Sequence, residues 1–106
     1  VATMSINEFV IAGRIAQDPE HRNNPEKGGM LKITVAVNRD YTDSEGNRGT
    51  DFIDVAMFGK RADAKAPHLA KGQYVVVKGS IEHNAVVQED GSKRWFYNFK
   101  ASDIDW

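Results

Sequence analysis

The chain has 106 residues, and its 14 basic and 15 acidic side chains leave a formal charge of −1. That length, with 41% hydrophobic residues, is enough for one modest core, so a single domain is expected over residues 5–106. The near-neutral balance excludes a whole-molecule field that would draw in a polyanion or an anionic membrane, and the absence of cysteine excludes disulfide frameworks and thiolate metal sites. Any nucleic-acid site must therefore be a local patch. No apolar run approaches the roughly 20 residues that span a bilayer, and no charged-then-apolar leader opens the chain. A soluble, cytoplasmic protein with no membrane partner is expected. Residues 1–4, with Val1, Ala2 and Thr3 ahead of Met4, are read as an expression remnant or an unstructured start.

"INEFVIAGRI" (6–15) carries apolar side chains in both phases, Ile6, Val10 and Ala12 in one and Phe9, Ile11 and Ile15 in the other. That pattern predicts a strand covered on both faces. "AQDPEHRNNPEKGG" (16–29) is polar and holds two prolines and two glycines, which predicts a long loop. "MLKITVAVNRD" (30–40) alternates, with Leu31, Ile33, Val35 and Val37 inward and Lys32, Thr34, Ala36 and Asn38 outward. After the turn cluster "YTDSEGNRG" (41–49), "DFIDVAMFGK" (51–60) repeats the alternation, with Ile53, Val55 and Met57 on one face and Phe52, Asp54, Ala56 and Phe58 on the other. Residues 30–58 are thus predicted to form one long hairpin.

"KRADAKAPHLAKG" (60–72) is alanine-rich, but Pro67 forbids a regular helix interior, so a short or broken helix is expected. "QYVVVKGSIEH" (73–83) and "KRWFYNFKA" (93–101), around the turn "QEDGS" (88–92), are two further strands. Three strands, a short helix and two strands suit an all-β, five-stranded Greek-key barrel of the oligonucleotide/oligosaccharide-binding (OB) type, the helix lying between strands three and four. Periodicity alone leaves a sandwich of equal strand count open.

The predicted outer face pairs Phe52 and Phe58 with Lys32, and Tyr41 lies in the hairpin loop near Arg39 and Arg48. Exposed aromatics interleaved with cations suit single-stranded nucleic acid: bases stack on rings while cations track phosphates. Lys32, Arg39, Arg48, Lys60, Lys71 and Lys78 are the candidate phosphate contacts. Taken singly, Phe52 or Phe58 is better explained by packing or a subunit contact, and it is the three aromatics with their flanking cations that turn the balance to binding. No catalytic residues are expected, since Asp18, Glu20, His21 and Arg22 lack a partner at a recognisable spacing. No metal site or cofactor is expected either: His21, His68 and His83 are scattered, and Asp103 and Asp105 read as a wet strand end.

In order and spacing, "NEFVIAGRIAQDPEHR" (7–22), "DFIDVAMFGKRA" (51–62), "HLAKGQYVVVKGSI" (68–81) and "QEDGSKRW" (88–95) resemble the bacterial and phage single-stranded DNA-binding proteins. The resemblance runs from about Ser5 to Ile104, and its most specific pieces are G-R-I-x-x-D-P-E-x-R and the strand ending Phe58-Gly59-Lys60. It implies an OB barrel that assembles as a homotetramer, or a dimer, and wraps single-stranded DNA without sequence preference in replication, recombination and repair. It implies base stacking by Tyr41, Phe52 and Phe58, adds Arg22 to Lys60 and Lys71 as cations near the DNA path, and makes the first strand a subunit interface through Asn7, Phe9 and Ile11. Two departures weaken the expected binding: Val86 stands where the family carries a tryptophan, and Asp54 where an arginine is common. Recruitment of replication and repair proteins would need a tail beyond Trp106. The rival expectation is an oligomeric OB-fold protein-interaction module of the replication-restart type with weak DNA binding; an RNA-binding barrel stays open, and a nuclease is the remotest reading.

Overall fold

The computed structural model describes residues 5–106, so the expectation for residues 1–4 lies outside the described residues. Its strands are β1 (Phe9–Ile15), β2 (Glu20–Arg22), β3 (Gly29–Thr42), β4 (Arg48–Gly59), β5 (Tyr74–Val87) and β6 (Lys93–Asp105). One helix, α1 (Lys60–Lys65), runs into a 3-10 turn at Ala66–His68, where Pro67 stops the α-helical ladder. The sheet order β1-β5-β6-β4-β3, with β1 also bonded to β3, closes a five-stranded barrel. Every ladder is antiparallel except β4 with β6, which run parallel through Val55↔Phe99 and Ala56↔Lys100. This is the OB architecture expected from the strand pattern.

The sixth strand, β2, falls inside the segment expected to be loop. It pairs Glu20, His21 and Arg22 with Lys32, Leu31 and Met30 of β3, on the same edge that β1 occupies at Val35 and Ala36. Pro19 lacks an amide hydrogen, so the chain bulges away after Ala16 bonds Thr34 and rejoins the edge at Glu20. Three polar residues offer no hydrophobic alternation from which such a strand could be read.

The core follows the alternation of β3 and β4. Leu31, Ile33, Val35, Val55 and Met57 are buried with Ile15, Val75, Val77 and Ile104, while Ala62 and Leu69 close the end of the barrel beneath them. In β1 the inward phase is Phe9, Ile11, Gly13 and Ile15. Phe9 stacks edge-on against Phe99 at 5.4 Å between ring centroids, and Ile11 packs against the core. The expectation that Phe9 and Ile11 form a subunit surface is therefore corrected: both fill the barrel, and β1 turns Val10, Ala12 and Arg14 outward. Asn7 is exposed, but its amide bonds both backbone groups of Ile81, at 2.6 and 2.9 Å, extending the β1 edge before the strand begins.

Helix α1 is pinned on two sides. Arg61 Nη1 donates to the Ser102 carbonyl at 2.6 Å and Lys65 Nζ to the Ile104 carbonyl at 2.8 Å, fastening it to β6. On the other side Asp63 accepts from His21 Nε2 at 2.7 Å and from the Gly29 amide at 3.0 Å, fastening it to β2 and β3. Among the described residues no helix is long and apolar enough to cross a membrane.

Two substitutions test this packing. A Cβ on Gly79 would lie 1.8 Å from the Lys100 carbonyl oxygen, a clash that only separation of β5 from β6 can relieve. Gly79→Ala is expected to destabilise by about 2 kcal/mol or more, lowering Tm by roughly 10 °C in a thermal melt; an unchanged Tm would contradict the close approach. The Asp63 carboxyl is held below its ordinary 3.8, first by the His21 hydrogen bond and also by the Gly29 amide, against some desolvation. A depressed folded-state pKa gives stability that is complete above the unfolded value and lost as pH falls through the folded one. The Tm gap between wild type and Asp63→Asn should therefore narrow as pH falls from above the ordinary carboxyl value of 3.8 to below it, and a constant gap would mean the carboxylate contributes nothing.

Candidate nucleic-acid interface

The outward phases of β3 and β4 meet in register: Met30 opposite Phe58, Lys32 opposite Ala56, Thr34 opposite Asp54, and Ala36 opposite Phe52. Phe52 and Phe58 are large apolar rings that remain 67% and 53% exposed, on a face the core does not use. Across β4, the parallel ladder sets Lys100 beside Ala56 and brings its Nζ to 5.2 Å from the centre of the Phe58 ring. The edge strand β2 supplies Arg22 and Glu20 from the opposite side. The result is a groove of about 530 Å³ lined by Glu20, Arg22, Met30, Lys32, Asp54, Phe58, Tyr97, Asn98 and Lys100 together with backbone of β4 and β6.

The groove is electrically mixed. Arg22, Lys32 and Lys100 bring positive charge and Glu20 and Asp54 negative charge. Asp54 accepts the Thr34 hydroxyl at 2.6 Å, and Lys100 shares its charge with Glu82 at 3.2 Å. An anion entering this groove finds cations along its walls and a carboxylate on its floor. A flat, polarisable group finds the Phe58 ring. Among the described residues no cluster of three or more histidine, aspartate or glutamate side chains gathers to hold a metal ion.

Two hairpins carry the surface beyond the barrel. In the β3–β4 arm, Arg39 binds Asp51 through Nε and Nη2, the latter at 3.0 Å, and its Nη1 donates to the Tyr41 hydroxyl at 3.2 Å. The bond from Arg39 holds the Asp51 carboxyl below its usual range. Asp51 belongs to the alternation of Ile53, Val55 and Met57, so this cluster lies on the opposite face of the arm from Phe52. Tyr41, 59% exposed, is therefore not brought into the groove with Phe58. In the β5–β6 arm, His83 stacks on Tyr97 at 4.6 Å and lies tilted against Trp95 at 4.8 Å, and Tyr97 reaches the groove. Val86, in the same arm, is exposed.

The cations expected from the sequence thus divide. Arg22 and Lys32 line the groove. Arg39 is engaged by Asp51, and Arg48 begins β4 opposite Thr42 on the arm. Lys60 opens α1 just after Phe58 and Gly59. Lys71 precedes β5 in a turn, and Lys78 lies beside Val10 on the outer face of β1 and β5, away from the groove. Lys100, Tyr97 and Met30 belong to the groove and were not expected there. Only the β4–β6 ladder brings Lys100 to Phe58, and nothing local in "KRWFYNFKA" announces that partner.

Against known proteins, the model of the "Single-strand binding protein family" matches residues 6–106. The chain is 33% identical over 99 residues to a single-stranded DNA-binding protein of Caldanaerobacter subterraneus subsp. tengcongensis, covering 93% of this chain and 66% of that protein. It is 35% identical over 101 residues to single-stranded DNA-binding protein 2 of Staphylococcus aureus, covering 95% of this chain and 72% of that one. The chain thus spans about two thirds of the length of the first relative. A crystal structure of the small single-stranded DNA-binding protein from Streptomyces coelicolor superposes with a TM-score of 0.69 at 28% identity, covering 95% of this chain and 94% of that one. The closed barrel, its groove of rings and cations and a family match that runs from Ile6 to the last residue lead to one assignment: the chain belongs to the single-strand binding protein family.

Proposed function

We propose that this chain binds single-stranded DNA without sequence preference and without catalysis, in the cytoplasm, coating strand exposed during replication, recombination and repair. One observation carries the reading: an exposed phenylalanine, Phe58, lies in a groove walled by Arg22, Lys32 and Lys100. Bases stack on Phe58 and, further along the same face, on Phe52. Phosphates follow Arg22, Lys32 and Lys100, with Lys60 and Arg48 at the margins of the path. Asp54 repels phosphate, so the backbone runs along the groove walls and the bases turn toward the floor. Lys71 and Lys78 take part only where the strand wraps to the β1–β5 side. Duplex is refused because its paired bases present no free faces.

The outer face of β1 and β5 is the proposed subunit contact. Val10 and Tyr74 are exposed there beside Ala12 and Val76, and the Arg14 guanidinium lies 5.9 Å from the Tyr74 ring centre. An apolar strip on a flat two-stranded surface suits a second copy of the same strip across a twofold axis. That contact alone makes a dimer, and the homotetramer typical of the family needs a second, different contact.

Fluorescence anisotropy of labelled oligo-dT of about 35 nucleotides, against duplex of equal length, tests the DNA reading. Strand should bind and duplex should not, and log affinity against log salt should fall with a slope of about −2 from three groove cations. Joint Phe52→Ala and Phe58→Ala should cost about 2 kcal/mol or more, some thirtyfold in affinity. No binding of strand even at low salt would sink the proposal and favour the protein-interaction module. For the assembly, sedimentation should give an oligomer that Val10→Asp splits into smaller species while the far-UV spectrum holds; a wild-type monomer would refute the contact.

A further inference from the structure

The β3–β4 ladder is interrupted where its arm leaves the barrel. Asn38 pairs with Thr50, and the next pair is Thr42 with Arg48. Residues Arg39, Asp40 and Tyr41 therefore have no ladder partner to fix them, although Tyr41 carries the largest exposed ring of the arm. What fixes them is one side chain. The Arg39 stem passes over Gly49, where a Cβ would come within 3.3 Å of its Cδ. Its Nε and Nη2 are taken by Asp51, at 3.1 and 3.0 Å for the shorter bonds, and its Nη1 by the Tyr41 hydroxyl at 3.2 Å. Its Cζ lies 5.9 Å from the Tyr41 ring centre.

All three guanidinium nitrogens thus have partners inside the arm, and the charge is matched by a bidentate carboxylate, the strongest geometry such a pair adopts. A phosphate would have to compete with that carboxylate for the same fork. We infer that Arg39 is a positioning residue and not a phosphate contact: clamped to Asp51, it bridges the gap in the ladder and presents the Tyr41 ring to a base. The inference rests on the reading of this chain as a single-stranded DNA binder, and it takes the strand past the groove onto the other face of the arm, where Tyr41 stands exposed. It assigns to one arginine a role opposite in kind to that of Arg22 or Lys32.

The two roles predict opposite responses to loss of the carboxylate. Affinity for oligo-dT of about 35 nucleotides is measured across salt for wild type, Asp51→Ala, Asp51→Glu, Tyr41→Ala and the double variant Tyr41→Ala with Asp51→Ala. As a clamp, Asp51→Ala weakens binding about fivefold, the low end of a lost stacking platform. The salt slope then stays as in wild type, Asp51→Glu restores most of the affinity, and Asp51→Ala costs nothing more once Tyr41 is alanine. The inference is overturned if Asp51→Ala tightens binding and steepens the slope by about 0.7, the mark of a freed Arg39 reaching a phosphate. It is equally overturned if Asp51→Ala has no effect, or its full effect without the Tyr41 ring.

The clamp is also read without DNA, as the Arg39 Nε–H resonance in the NMR spectrum. That signal should persist near neutral pH in wild type and vanish by exchange with water in Asp51→Ala; a wild-type signal already lost overturns the clamp. Should wild type keep the signal yet bind no strand, the DNA reading fails and takes the presenting role of Arg39 with it, while the clamp stands.

Discussion

One of the two shortest ladders of the barrel is the one on which the rest depends. β4 and β6 run parallel through only two registered pairs, Val55↔Phe99 and Ala56↔Lys100, and without them the sheet is open. Closure there has two products on the two sides of the same residues. Inward, Val55 and Phe99 complete the core, with Phe99 meeting Phe9 from β1. Outward, Ala56 and Lys100 form the floor and wall of the groove, and Ala56 is small enough to let the Lys100 ammonium reach the Phe58 ring. The fold and the site are consequences of one strand pairing, which is why the core residues of β4 alternate one by one with its surface rings.

Much of this was legible in the chain itself. The alternation of 30–40 and 51–58 sorted inward from outward residues correctly because a period of two leaves no choice once one face is buried. Pro67 marked the break in the helix for a covalent reason. What escaped was non-local. β1 is apolar on both faces, so its pattern could not say whether Phe9 or Val10 points inward; the neighbouring strands β3 and β5 decide that. β2 escaped because an edge strand of Glu, His and Arg is held by backbone bonds to β3 and by His21 to Asp63, neither of which leaves a hydrophobic trace. Lys100 escaped because its partner lies on a distant strand, and the face taken by Tyr41 because the ladder slips between Asn38 and Thr42.

Charge explains how a chain with no net field carries a candidate polyanion site. Two carboxylates beside the groove are occupied, Asp54 by the Thr34 hydroxyl and Glu82 by Lys100, as Asp51 is by Arg39 on the arm. Occupied carboxylates repel a phosphate less freely than their number implies, but they also engage two of the cations that would otherwise attract it. The surface therefore relies on ring faces, with charge acting along its walls. That balance is consistent with Asp54 standing amid the rings, where a purely electrostatic site would not tolerate it.

Both hairpins continue past the point where the barrel can support them. From Asn38 to Thr50 and from Glu82 to Asn98, side chains are largely exposed, and a two-stranded ribbon by itself is marginal in water. Each arm takes its order from the closed ladder at its base, so opening should begin at the Gly46 and Gly91 turns and cost progressively more toward Val55. The molecule is thus graded in rigidity, from a fixed centre to compliant tips. A strand of irregular curvature can be met by bending an arm at little cost, while the groove at its base keeps its shape.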